Sequence, residues 1–158
     1  VNAGTLDAER YVPGLVTWLA NKLSAGASQL YRKRFDLGVI DWRVLATIGS
    51  EGGATGARIC QVVGLDKAAV SRSFAVLEAR GLIVVPKPGG RARAAELTQA
   101  GRAIHDAILA LALARQSRLL EPFTDAERDL LVGLLHRLLQ QVPYVNAFDP
   151  DRDMGQGE

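Results

Sequence analysis

Apolar positions along this chain recur mainly at helical spacing. Within residues 7–34, Val12, Leu15, Val16, Leu19, Leu23, Leu30 and Tyr31 fall three, four or seven apart, which predicts an amphipathic helix. Pro13 suits only the first turn, and Gly26 weakens the middle by about 1 kcal/mol relative to alanine, so a bend or break belongs there. A short helix over residues 41–50 carries Val44, Leu45 and Ile48 on one face and stops at Glu51-Gly52-Gly53. Thr55 can cap a third helix containing Ile59, Val62 and Val63, which ends at Gly64, a residue suited to left-handed backbone. Asp66 caps a fourth, with Val70, Phe74 and Leu77 facing inward and Lys67, Ser71, Arg72 and Ala75 on the other side, ending at Gly81. Two helices joined by a tight glycine turn, the second with a polar and basic outer face, form a helix-turn-helix pattern.

The period then changes. Leu82-Ile83-Val84-Val85 is a short β-branched run, residues 86–90 hold two prolines and two glycines, and residues 91–97 can return as a partner strand, which predicts a hairpin. Thr98 starts a helix reaching about Leu120, striped by Ile104, Ile108 and Leu111. Thr124-Asp125-Ala126-Glu127 is a capping box, whose threonine and glutamate satisfy two free N–H groups. The helix it opens carries Leu130, Leu131, Leu134, Leu135, Leu138, Leu139 and Val142. So wide an apolar face closes the protein's own core or meets a second subunit, and in a chain this small a homodimer is expected. Residues 146–158 are polar and acidic and read as a flexible tail.

With 158 residues, 48% of them hydrophobic and 23% charged, the chain can bury a core, which excludes wholesale disorder. No apolar run reaches the ~18 residues of a membrane span. Cys60 is the only cysteine, so neither an intrachain disulfide nor a cysteine zinc site can form, and a reducing, cytoplasmic setting is expected. His105 and His136 read as isolated from any carboxylate or cysteine cluster, and no metal or cofactor is expected. There is no nucleophile elbow, no phosphate-cradling glycine loop and no paired His/carboxylate motif, so the chain does not read as an enzyme. The net charge of +2 conceals an uneven distribution: seven basic against two acidic residues between Arg58 and Arg93 give a local +5 and leave −3 elsewhere.

The order of elements, together with Asp41-Trp42-Arg43-Val44-Leu45, Leu65-Asp66-Lys67-Ala68-Ala69-Val70-Ser71-Arg72, Leu77-Glu78-Ala79-Arg80-Gly81-Leu82-Ile83 and Leu97-Thr98-Gln99-Ala100-Gly101, resembles the MarR family of winged helix-turn-helix transcriptional regulators. The departures fall in the wing, where Gly89 stands in place of an acid, Val85 stands near an expected basic position and the hairpin is short. The resemblance implies a mainly α fold with a small two-stranded β wing and a helical dimerisation lobe. Residues 1–36 and 98–145 would form the lobe, residues 37–97 the DNA-binding domain, and residues 146–158 the tail. It further implies a homodimeric repressor on a near-palindromic operator in double-stranded DNA, released by a small aromatic or phenolic effector, or by an oxidant. The alternative is a winged-helix module for protein–protein contact with weak or no DNA binding.

On this reading Arg72 bonds bidentately to guanine, Ser71 meets a base edge or phosphate, and Lys67 a phosphate, while Ala68, Ala69 and Ala75 touch thymine methyls. The alternative for Arg72 is a solvated charge or phosphate clamp. Arg91 and Arg93 share a strand face and Lys87 sits at the turn, where they reach a groove or simply guard a solvated edge. Thr55 and Arg58 are candidate phosphate contacts at the start of the supporting helix. Trp18, Tyr31, Trp42 and Arg43 either line an effector cavity or pack the core. Cys60 is either a buried, inert thiol or an oxidant sensor.

Overall fold

The computed structural model describes residues 5–85 and 94–153. The chain divides into two compact units, residues 1–113 and 114–158. In the first, α1 (Val12–Phe35), α2 (Val39–Glu51), α3 (Gly56–Val63) and α4 (Lys67–Ala79) precede a two-stranded antiparallel sheet of β1 (Ile83–Val84) and β2 (Glu96–Leu97). The boundary falls within α5 (Gln99–Leu119), and the second unit also holds α6 (Asp125–Asn146) and α7 (Pro150–Asp153).

Helix α1 starts at Val12, the first residue of the apolar period and later than the expected segment start at residue 7, with Pro13 in its first turn where a missing N–H goes unnoticed. Gly26 neither bends nor breaks it enough to end the helix. Its neighbours Ala27 and Tyr31 are buried against the core, and packing outweighs the glycine's weak propensity. Helix α2 begins at Val39, where Asp41 accepts the Gly38 N–H at 2.8 Å. Its buried face, Val44, Leu45 and Ile48, joins Leu37, Ile59, Leu77 and Ile108 at the centre of the first unit.

The caps foreseen in the sequence are formed. Thr55 accepts the Arg58 N–H at 3.2 Å, Asp66 the Ala69 N–H at 2.7 Å, and Thr98 the Gly101 N–H at 2.9 Å. Gly64 ends α3 at φ +71°. Among the described residues the β-ladder pairs Ile83 with Leu97 and Val84 with Glu96. A bridge from Ala54 to Ala95, with N···O distances of 3.0 and 2.9 Å, adds a third segment to it. Lys87, Arg91 and Arg93 lie outside the described residues.

In the second unit, the Thr124–Glu127 capping box is complete: the Thr124 N–H donates to Glu127 at 2.8 Å and the Glu127 N–H to Thr124 at 3.3 Å. No residue of α6 is buried by this chain, and Leu130 and Leu139 are 62% and 65% exposed. The tail expected from Asn146 contains α7, so the chain is helical again at residues 150–153.

Candidate nucleic-acid interface

Helix α4 is held from within. Val70 and Leu77 sit in the core, Phe74 is half-buried against it, and Ser73 is buried beside them. The opposite face presents Lys67, Ala68, Ser71, Arg72 and Ala75 to solvent. Ala69 departs from expectation: it is buried on the same side as Ser73 and Leu77, four and eight residues on, so its methyl is withdrawn from the outer face. Among the described residues Arg72 takes no hydrogen bond or ion pair.

The supporting helix is differently disposed. The Thr55 hydroxyl is used as the α3 cap. Arg58 lies 2.8 Å from Glu51 in an ion pair and donates to Gln61 at 3.1 Å. Its pKa is pushed further up, first by the hydrogen bond to Glu51 and then by that carboxylate's charge. Arg58 is therefore a cation already paired within the chain, its charge largely offset by Glu51.

The four candidate effector residues do not come together. Trp18 and Tyr31 are 13 residues apart on one helix, about 20 Å at 1.5 Å per residue. Tyr31 meets Trp42 edge-on at 6.3 Å, and Trp42 lies 5.5 Å from the His105 ring. Arg43 donates to Ser24 at 2.8 Å. His105 has Nδ1 2.7 Å from Asp106, its sequence neighbour, a single carboxylate. No group of three or more His, Cys, Asp or Glu residues among the described ones could hold a metal. Cys60 is half-buried against the core.

Two contacts escaped the sequence reading because they join distant segments. Asp41 accepts the Ser73 hydroxyl at 2.7 Å. Arg80, at the end of α4, donates to the backbone carbonyls of Asp36 and Phe35 at 2.6 and 2.9 Å, capping the C-terminus of α1 with a cation.

The MarR family model matches residues 35–94, the segment holding this helix-turn-helix. Among solved structures, a MarR/EmrR family transcriptional regulator from Acinetobacter sp. ADP1 is 33% identical, with 88% of this chain and 99% of that chain covered at a TM-score of 0.82. A MarR family regulator from Silicibacter pomeroyi DSS-3 is 26% identical, covering 87% and 99% with a TM-score of 0.73. The MepR–DNA complex from S. aureus, 18% identical over 87% and 99%, shares the fold at a TM-score of 0.73. No curated protein matches the sequence significantly.

Proposed function

Because the chain belongs to the MarR family of transcriptional regulators, we propose that it binds double-stranded DNA as a homodimeric, ligand-released repressor with α4 as its recognition helix. It is a regulator rather than an enzyme. The observation that carries the DNA-binding reading is α4 itself: an inner stripe fixed in the core and an outer face offering Lys67, Ser71 and the uncommitted Arg72. A helix of that kind fits the major groove, and the MepR complex is a relative of the same fold bound to DNA. Two copies related by a two-fold axis would read half-sites about 34–36 Å apart.

The dimer reading is supported by α6, none of whose residues the chain buries, and by Val12, Leu15, Val16 and Leu19, which α1 leaves exposed. Exposed apolar faces of this extent ask for a partner surface. The lobe is assigned to residues 1–36 and 98–145, the DNA-binding domain to residues 37–97, and the wing cations Lys87, Arg91 and Arg93 to backbone or minor-groove contact. A small aromatic or phenolic ligand is assigned to the region of Tyr31, Trp42 and Arg43; Trp18 is too far along α1 to share it in one protomer. No helix among the described residues is long and apolar enough to cross a membrane, and we place the protein in the cytoplasm.

The test is fluorescence anisotropy against intergenic DNA beside its own gene, with excess random duplex, at low and near-physiological salt. Saturable binding that survives competition supports the reading. Absence of binding to either DNA at low salt would replace it with a protein-interaction role.

A further inference from the structure

We propose that Asp41 is a positioning residue for DNA reading, fixing the roll and axial position of α4 through Ser73. The proposal rests on α4 being the recognition helix. The Asp41 carboxylate divides its two oxygens between two elements. Oδ2 accepts the Gly38 N–H at 2.8 Å, in the turn that starts α2, and Oδ1 accepts the Ser73 hydroxyl at 2.7 Å, 32 residues later in α4. Ser73 is only 3% exposed and directly follows Arg72 on the helix that presents the outward polar face.

The apolar contacts between α4 and the core do not supply this constraint. Val70, Phe74 and Leu77 hold α4 by apolar packing, which is non-directional and tolerates a small roll or slide. A short hydrogen bond to a carboxylate does not, because both its length and its angle are restricted. With side chains about 5–6 Å from the helix axis, a roll of about 10° carries a head group about 1 Å sideways. That displacement removes a bidentate contact to a base edge, whereas a phosphate contact, governed mainly by charge at longer range, survives it. Asp41 therefore controls discrimination between sequences more than overall affinity for DNA. Arg58 and Arg80, both bonded within the chain, leave this role untouched: the one is fastened to Glu51 on the supporting helix, and the other ties the far end of α4 to α1.

The experiment uses the full chain and two duplexes: one selected from a random library by the wild-type protein, and one of scrambled sequence. Ser73→Ala deletes a single oxygen and leaves the Asp41–Gly38 bond in place. It should lower the ratio of specific to non-specific affinity about tenfold, the scale of one lost base contact, while affinity for the scrambled duplex stays the same. Asp41→Asn can still accept from Gly38 and donate to Ser73, and should keep most of the ratio. Asp41→Ala should lose it, and the Asp41→Ala/Ser73→Ala double variant should lose no more than Asp41→Ala, since the Asp41–Ser73 bond is already absent there. Thermal melts of every variant accompany the titrations.

An unchanged ratio in folded Ser73→Ala overturns the proposal. So does an equal loss on both duplexes accompanied by a lowered melting temperature, which assigns the bond to fold support alone. If the wild-type protein itself enriches no sequence, the recognition-helix reading fails first, and the proposal with it; that result is seen before any variant is made.

Discussion

Arg72 and Arg58 lie on adjacent helices of the same motif, yet replacing them should have unlike effects. Arg72 has no partner within the described chain, so Arg72→Ala removes nothing from the folded protein. Its melting temperature should stay within about 2 °C of wild type, as expected for a surface change worth under about 0.5 kcal/mol. If Arg72 bonds a guanine, specific binding falls by about 1–3 kcal/mol per half-site, or about five- to 150-fold, with little change in the salt slope. A phosphate clamp behaves otherwise: all sequences weaken together, and the slope falls by about 0.9 for each phosphate no longer neutralised. Arg58 needs a different control, because Arg58→Ala would leave Glu51 as a bare negative charge. The Glu51→Gln/Arg58→Gln pair removes both charges, and its affinity should stay within about 0.5 kcal/mol of wild type, because the ion pair presents little net charge to DNA. Anisotropy titrations at four salt concentrations separate these cases. Should the paired variant lose more affinity than Arg72→Ala, the assignment of Arg72 as reader and Arg58 as an internal cation is wrong.

A side chain at Gly101 would meet the Leu82 carbonyl oxygen well inside contact distance, and backbone cannot give way as a flexible side chain can. Gly101→Ala should therefore cost at least about 3 kcal/mol and lower the melting temperature by roughly 6–12 °C, measured by calorimetry. Truncation after Glu121 removes α6 and should turn a dimer into a monomer or an aggregate by light scattering; a well-folded dimer would refute the interface. Glu127 has its pKa lowered, first by the hydrogen bond from the Thr124 N–H and then by the Thr124 hydroxyl. A depressed carboxylate stabilises the fold above its unfolded value, near 4.5, and loses that contribution as pH falls through the lower folded value. Wild type should thus lose more of its melting temperature than Glu127→Gln between pH 6 and about pH 3, and parallel profiles would show the capping box to be inert.

Local chemistry was legible in the sequence. Thr55, Asp66, Thr98 and Thr124 could be recognised as caps because a cap depends on residues within three positions of itself. What joins separate segments was not legible: the Ala54–Ala95 bridge, the Asp41–Ser73 bond and the Arg80 cap on α1 depend on how helices pack, and no periodicity encodes them. The inward stripe of Val70, Phe74 and Leu77 packs as drawn, with Ala69 and Ser73 buried beside it, so the buried face is wider than the stripe. One misplacement could have been avoided. Grouping Trp18 with Tyr31 joined residues by chemical type when their separation on one helix already held them about 20 Å apart.

The same distinction bears on the charge that the sequence places between Arg58 and Arg93. Counted by formal charge the segment carries +5, but its cations are not equally available. Arg58 is paired with Glu51, and Arg80 is spent on the carbonyls that end α1. On the described elements only Lys67 and Arg72 remain exposed and directed away from the core. A guanidinium bonded within the chain contributes to long-range attraction, yet part of its donor capacity is already taken and its orientation is fixed by those bonds. On the proposed reading, a stronger electrostatic grip on DNA would come from Lys87, Arg91 and Arg93, and α4 would chiefly set sequence preference.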